Sequence, residues 1–403
     1  MEDLKKMIIT DSIKYVGVDD KALDLFEGQY AVPEGVSYNS YVILDEKIAV
    51  MDTVDKRCVC EWEKNLDEVL GTRTPDYLVI QHVEPDHAGS IAEFVKKYPE
   101  TLLVGNAKTF TMLSQFFNFS LEGKTITVKE GDTLELGNHM LTFIMAPMVH
   151  WPEVMVSYEN KEQVLFSADG FGKFGALNLK CADDIFNGDS VKEQEWFDEA
   201  ERYYFNIVGK YGTPVQTLLK KAAGLDIKYI CPLHGPVLKE NIKYYIDLYD
   251  TWSSYRAKED GVLVAYASFH GNTADAAKKA AEFISSKNKT VVVRDLARDD
   301  MSQVVAEAFR YDKLILAAPT YDAGIAPVMH DFLSHLQSKA YQSRKVAVIE
   351  NGSWAPTAGK QIRTMLEAMK NISIAEKCVT IRSVMKEQNV NEIEQMCDEL
   401  LTM

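Results

Sequence analysis

The 403-residue sequence contains no run approaching the roughly 20 consecutive apolar residues that a membrane-spanning helix needs, which excludes a helical membrane protein. It also lacks any C-x-x-C pair. Cys58, Cys60, Cys181, Cys231, Cys378 and Cys397 are scattered, so neither a zinc ribbon nor a rubredoxin-type iron site is encoded. Reduced thiols in a reducing cytosol are expected. Cys58 and Cys60 are the one close pair, and with no helix start expected beside them they do not read as a redox couple. The opening MEDLKKMIITDSIKY has no basic start followed by an apolar stretch, so no signal peptide and a cytoplasmic location are expected. Positive charge is in short supply, 44 Lys and Arg against 60 Asp and Glu, a net charge of −16 that disfavours nucleic acid and anionic membranes as partners. Neither an internal repeat nor a low-complexity tract is present.

What remains is the composition of a globular chain, 46% apolar and 26% charged, long enough for two or three domains. The acidic excess is one-sided. Residues 256–403 hold 19 basic and 19 acidic side chains, leaving 25 and 41 for residues 1–255. Texture changes at the same place, so domains are expected at 1–255 and 256–403. Downstream, strand-like runs at 262–267, 290–296, 313–319, 345–351 and 377–383 alternate with helical stretches near 272–286, 301–309, 326–338, 357–370 and 388–401. Such alternation predicts a doubly wound parallel sheet with its ligand at the carboxyl ends of the strands. Upstream, short strands separated by turn residues predict two sheets flanked by helices, with hairpin turns at Glu130-Gly131-Asp132 and Glu159-Asn160-Lys161.

One upstream stretch, QHVEPDHAGS at 81–90, concentrates ligand chemistry. It follows the apolar run DYLVIQ, a predicted buried strand. In an extended continuation His82, Glu84 and Asp86 share a face, with His87 added at the end and a helix following from Ala88. A single histidine or aspartate at a strand end is usually a cap or a surface residue; four within six positions point to a metal site. His150, Asp169 and His234 each end another apolar run at a Gly or Pro turn and complete a set of seven. His139 in the turn GNHM, and His330 and His335 on a predicted helix, have ordinary structural readings.

This pattern resembles the metallo-β-lactamase superfamily, whose loop reads H-x-H-x-D-H followed by a distant His, Asp and His. Glu84 stands here in place of the middle His, a departure that marks the flavodiiron proteins (A-type), in which such a domain is fused to a flavodoxin-like one. The resemblance spans the whole chain. It implies an α/β protein with an N-terminal αββα metallo-β-lactamase-like domain and a C-terminal flavodoxin-like domain, carrying FMN and two non-haem Fe. It further implies that one iron takes His82, Glu84 and His150, the other Asp86, His87 and His234, and that Asp169 bridges them; in some members the counterpart of His87 turns away. Oxygen-rich anionic ligands suit iron, whereas imidazole-rich sites suit zinc.

The C-terminal loops fit that expectation. Ser268, Phe269, His270, Gly271, Asn272 and Thr273 form a strand-to-helix turn whose N–H groups and hydroxyls suit a phosphate. His270 stands where flavodoxins more often have Thr. Pro319, Thr320, Tyr321, Asp322, Ala323 and Gly324, then Asn351, Gly352, Ser353, Trp354 and Ala355, follow two further strands, and Tyr321 and Trp354 suit an isoalloxazine ring. Helix capping and interface packing are the bland readings of the same residues.

The function implied is reduction of dioxygen to water, nitric oxide to nitrous oxide, or both, as detoxification in an anaerobe-type cytoplasm. Electrons would come from a separate donor, rubredoxin or alternatively a reduced deazaflavin, through FMN. A head-to-tail homodimer or dimer of dimers is implied as well. Tyr203 and Tyr204, with Tyr30 and Tyr38, are candidates for a phenol near the gas, and Trp151 for a water shield. The alternatives are a zinc hydrolase of the parent superfamily, which leaves the flavodoxin-like half unused, and an FMN electron carrier, which leaves the metal ligands unused.

Overall fold

Tyr41 and Ile43, Ala49 and Met51, and Tyr77 and Val79 are pairs two residues apart. In the computed structural model, which describes residues 7–179, 182–187 and 190–403, all six side chains enter one core. Two-residue spacing on a strand sends alternate side chains to the same face. The strands Ile13–Tyr15 (β1), Tyr41–Ile43 (β2), Ala49–Met51 (β3), Tyr77–Val79 (β4), Leu102–Gly105 (β5) and Thr125–Thr127 (β6) lie side by side in that order. The first two pairings are antiparallel and the rest parallel.

Across the core stands a seven-stranded sheet. It contains Thr133–Glu135 (β7), Met140–Met145 (β8), Met155–Glu159 (β9), Val164–Phe166 (β10), Phe186–Asn187 (β11), Tyr229–Cys231 (β12) and Val237–Leu238 (β13), in the order β7-β8-β9-β10-β12-β13-β11. Leu141, Phe143, Met155, Val164, Phe166 and Cys231 supply its half of the core. Each large apolar side chain enclosed there contributes on the order of 1.5–3 kcal/mol. The Glu159-Asn160-Lys161 break is a hairpin between β9 and β10. Glu130-Gly131-Asp132 is not a hairpin: β6 pairs with β5 and β7 with β8, so this turn carries the chain from one sheet to the other. Its polar sequence specifies a turn, but only pairing partners elsewhere decide which strands it joins.

Helix Val59–Leu70 (α1) buries Trp62, Leu66 and Leu70, spaced four apart along one face. Cys58 sits at its N-cap position and Cys60 in its first turn, so the close cysteine pair does lie at a helix start, contrary to expectation. Burial pushes the Cys58 thiol up to about 12, which leaves it unactivated. Cys181 lies outside the described residues.

By its contacts the chain forms two units, Met1–Tyr204 with Thr213–Asp250, and Phe205–Gly212 with Thr251–Met403. The second holds five parallel strands, Glu259–Tyr266 (β14), Thr290–Asp295 (β15), Tyr311–Tyr321 (β16), Lys345–Asn351 (β17) and Ser373–Ile381 (β18), ordered β15-β14-β16-β17-β18. Reversal of strand order beside β14 is the topological switch at which doubly wound folds bind ligands. Ala276, Ala277, Ala280 and Ile284 of helix Asn272–Ser286 (α2) pack with Ile393, Met396 and Leu400 of helix Glu387–Thr402 (α3) on one face of this sheet. Among the described residues, no helix is long and apolar enough to cross a membrane.

Candidate metal centre and flavin cradle

Strand β4 delivers the ligand-rich stretch. After Gln81, His82 and Glu84 remain extended, and Pro85, whose fixed φ suits a first helical position, opens a one-turn helix, Pro85–Ala88, with Glu84 at its N-cap position. The expected single face is therefore broken. His82 and Glu84 point one way, while the helical turn swings Asp86 and His87 to a second position, and the next helix starts only at Ile91.

Two groups result. His82 Nε2 and His150 Nε2 lie 3.2 and 3.1 Å from Glu84 Oε2, and 3.5 and 3.1 Å from Asp169 Oδ2. Across from them, His87 Nε2 and His234 Nε2 lie 3.3 and 3.2 Å from Asp86 Oδ2, and 3.1 and 3.8 Å from Asp169 Oδ1. Asp169 thus presents one carboxylate oxygen to each group. All seven expected ligands meet here.

Long-range geometry assembles them. β10 and β12 are parallel neighbours, so the loops at their carboxyl ends set Asp169 and His234 side by side. Met155 N donates to Gln81 O at 3.1 Å, tying the strand that follows His150 to the 82–87 turn. Buried Asn39 donates to the carbonyls of Pro232 and Gly235, at 2.8 and 2.7 Å, and fixes the loop carrying His234.

The electrostatics are those of a site built for cations. Burial opposes the charged form of His82, but Glu153, Glu84 and Asp169 outweigh it and hold its pKa well above the usual imidazole range. Burial likewise opposes His150, which Asp169 and Glu84 nevertheless push up to about 9. Asp169 stays well below the carboxylate range despite burial because His87 and His150 favour its anion. Carboxylates that favour positive charge on the neighbouring imidazoles favour a bound metal ion in the same way, and metal binding would displace any imidazole proton. Asp86 Oδ1 and His87 Nδ1 are buried with no hydrogen-bond partner, while Asp86 Oδ2, His87 Nε2, Asp169 Oδ1 and His234 Nε2 approach only one another, without hydrogen-bond geometry. Orphaned buried groups are costly and require a partner. Bonds of about 2.1 Å to a shared ion, meeting at a right angle or somewhat wider, separate ligand atoms by about 3.0–3.3 Å, which the shorter contacts above match.

Tyr203 Oη is buried without a partner, and its ring lies 5.6 Å from that of His234. Burial first, then Asp169, Asp86 and Glu84, raise its pKa well above the phenol range. Tyr204 instead packs on Tyr249 at 5.1 Å and Tyr30 on Phe174 at 6.2 Å, while Tyr38, 6.0 Å from His234, accepts a hydrogen bond from Arg57. Trp151 stands edge-on to His82 at 5.3 Å. His139 is held by Asp45 at 2.7 Å and His335 lies 3.7 Å from Asp331; neither belongs to the two groups.

Sequence reading overlooked Glu153 and Asp52. Glu153 Oε1 accepts from His82 Nδ1 at 2.7 Å, and Asp52 Oδ1 accepts from the Gln81 and His82 amides at 2.7 and 3.3 Å. The one local signal was an acid, Glu153, inside the short Trp-Pro turn after His150.

In the second unit a cavity of about 530 Å³ opens at the strand ends. The expected loop residues line it, except Gly271, Tyr321 and Gly324, and Ser383 joins them from a fourth loop. Gly271 serves the backbone: its φ of +91° sharply turns the chain into α2. Ser268 Oγ is buried without a partner. Asn351 pins Ser383 through paired bonds of 2.9 and 3.0 Å, and Thr320 Oγ1 accepts from the Thr357 and Ala358 amides. Tyr321 packs edge-on against Phe269 at 5.2 Å, and Trp354 is 90% exposed, leaving an open aromatic rim.

Comparison with known proteins matches residues 36–235 to the model of the ODP family beta lactamase. The anaerobic nitric oxide reductase flavorubredoxin of Pectobacterium atrosepticum is 30% identical over 365 residues, 89% of this chain and 70% of the relative. The chain belongs to the flavodiiron proteins. Among solved flavodiiron structures, the rubredoxin:oxygen oxidoreductase of the anaerobe Desulfovibrio gigas superposes with a TM-score of 0.91 at 25% identity, covering 98% of this chain and 97% of the other. The Giardia intestinalis flavodiiron protein, with a TM-score of 0.90 at 24% identity, covers 98% and 95% and shares the fold.

Proposed function

We infer that this chain is an oxidoreductase that reduces dioxygen to water, nitric oxide to nitrous oxide, or both, using FMN and a pair of non-haem irons. What carries the reading is the pair of facing ligand groups that share Asp169, in a chain whose other unit opens a cradle at a flavodoxin-like switch point. His82, Glu84 and His150 would hold one iron, Asp86, His87 and His234 the other, and Asp169 both. When bound, the irons supply the gas-binding centre and two electrons, and FMN supplies two more.

Four electrons and four protons convert O2 to two waters; two of each convert two NO to N2O and one water. Glu84, Asp86 and Asp169 contribute three negative charges, which offset the charge of two metal ions and suit iron. Trp151 and Tyr203, packed on His82 and His234, keep bulk water from the ligands. Tyr203 Oη remains protonated and can donate a hydrogen bond into the site. The Ser268–Thr273 loop and the free N–H groups opening α2 would hold the FMN phosphate, and Trp354 would cover the ring.

Electrons come from an external carrier, for which rubredoxin is our choice over a reduced deazaflavin. The exposed aromatic rim of the cradle supports a head-to-tail homodimer, or a dimer of dimers, bringing the flavin of one subunit to the irons of another. The five described cysteines are free, in keeping with a cytoplasmic setting. We assign the gas chemistry to residues 1–255 and the flavin to 256–403.

Metal and flavin analysis of protein from iron-replete cells, followed by anaerobic stopped-flow mixing of the reduced protein with each gas, tests the reading. Two irons and one FMN per chain, with flavin oxidation by at least one gas, are expected. Zinc without iron, and a flavin inert to both gases, would overturn it in favour of the hydrolase.

A further inference from the structure

We propose that Glu153 is a positioning residue that makes the two metal positions inequivalent, so that the ion at His82, Glu84 and His150 is bound more tightly than the ion at Asp86, His87 and His234. The inference rests on the diiron reading above.

Glu153 is 1% exposed and held from several sides. Its Oε1 accepts from His82 Nδ1 at 2.7 Å and from the Val83 amide at 2.9 Å, while its carbonyl accepts from Asn106 Nδ2 at 2.5 Å. A carboxylate only accepts, so the proton of the neutral His82 ring sits on Nδ1 and its Nε2 lone pair faces Glu84 and Asp169. Three residues beyond His150, Glu153 also ties together the two segments that carry the histidines of the first group.

The second group has no such support. His234 Nδ1 donates to the neutral carbonyl of Ser37 at 2.8 Å, and the buried Nδ1 of His87 has no partner at all. A charge-assisted bond is roughly twice as strong as a neutral one, and an anionic acceptor makes an imidazole a more basic ligand. His82 is thus the best oriented and most electron-rich imidazole of those three. His87, unbacked, is the natural point of release for the second ion.

The test is anaerobic titration of the metal-free wild-type chain with Co(II), read by the visible absorption of the bound ion and by proton NMR for its exchangeable imidazole N–H signals. Two successive binding steps are expected, with the protected N–H of His82 shifting at the tighter step and the protected N–H of His234, held by the Ser37 carbonyl, at the weaker one. Glu153→Gln should weaken the tighter step about 10- to 100-fold and expose the His82 N–H, while Glu153→Asp should restore part of both. FMN content and melting temperature report whether each variant folds. If Glu153→Gln does not fold, the wild type and Glu153→Asp decide. Two indistinguishable steps in the wild type, or Glu153→Gln binding both ions as the wild type does, would overturn the proposal. A wild type that binds no divalent ion would instead remove the diiron reading itself.

Discussion

The metal centre and the flavin cradle are built by opposite strategies. Five of the seven proposed ligands are buried, His82 and His234 completely, and the seven come from four segments spread over 153 positions of sequence, 82 to 234. The cradle consists of loops at neighbouring strand ends, and its aromatics stand open, with Trp354 90% and Phe269 49% exposed. A metal ion binds through a few short directional bonds, so its ligands must be fixed beforehand and kept dry. A flavin binds through area and many weak contacts, which exposed loops can supply and a partner can still reach.

The sharpest way to break this comparison is Asp169→Ala. It removes the one side chain that faces both groups, so iron content should fall from two to at most one per chain, and gas reduction by at least about 100-fold. FMN content should stay at the wild-type level; loss of both cofactors would show that the two regions are not independent. Glu84→His should move the metal content of purified protein from iron toward zinc, measured by elemental analysis, because it restores an imidazole where the chain departs from its parent superfamily. Trp354→Ala probes the other strategy. It should weaken FMN about three- to tenfold in a fluorescence titration, with iron stoichiometry unchanged.

The smallest effect expected is on stability, away from both sites. Asp45 is half-buried, and although desolvation works against its charge, hydrogen bonds from Asn138, His139 and the Glu46 amide hold its pKa below the carboxylate range. A group with a lowered folded pKa contributes fully above its unfolded value, about 3.9, and loses that contribution as pH falls through the folded value. Asp45→Asn should therefore lower the melting temperature by a few degrees at pH 7, and its gap from the wild type should close below about pH 4. A gap that widens on acidification would reverse the assignment.

Much of the second unit was legible in the sequence because each βα repeat is local. Periodicity placed the helices at 272–286 and 301–309, and the structure has them at Asn272–Ser286 and Met301–Arg310. Ser383 escaped notice because it meets the cradle through Asn351, 32 residues away, and not through any loop pattern of its own. In the first unit the ligand types were readable, since each ends an apolar run. The turn at Glu130-Gly131-Asp132 was read as a hairpin because turn chemistry is local while strand partnership is not. The single ligand face predicted for 82–86 failed because Pro85 begins a helical turn in the middle of it.

The order of side chains along the chain by itself determined the chemistry on offer: four imidazoles and three carboxylates at strand ends, then glycine, hydroxyl and aromatic loops after parallel strands. Only the packing of two sheets decided that those side chains fall into two groups, that Asp169 faces both, and that Glu153 stands behind His82. The physical reason is range. Neighbouring residues set whether a segment bends, extends or coils, whereas the distance between an imidazole and a carboxylate 71 positions apart is fixed by the core that holds their strands together.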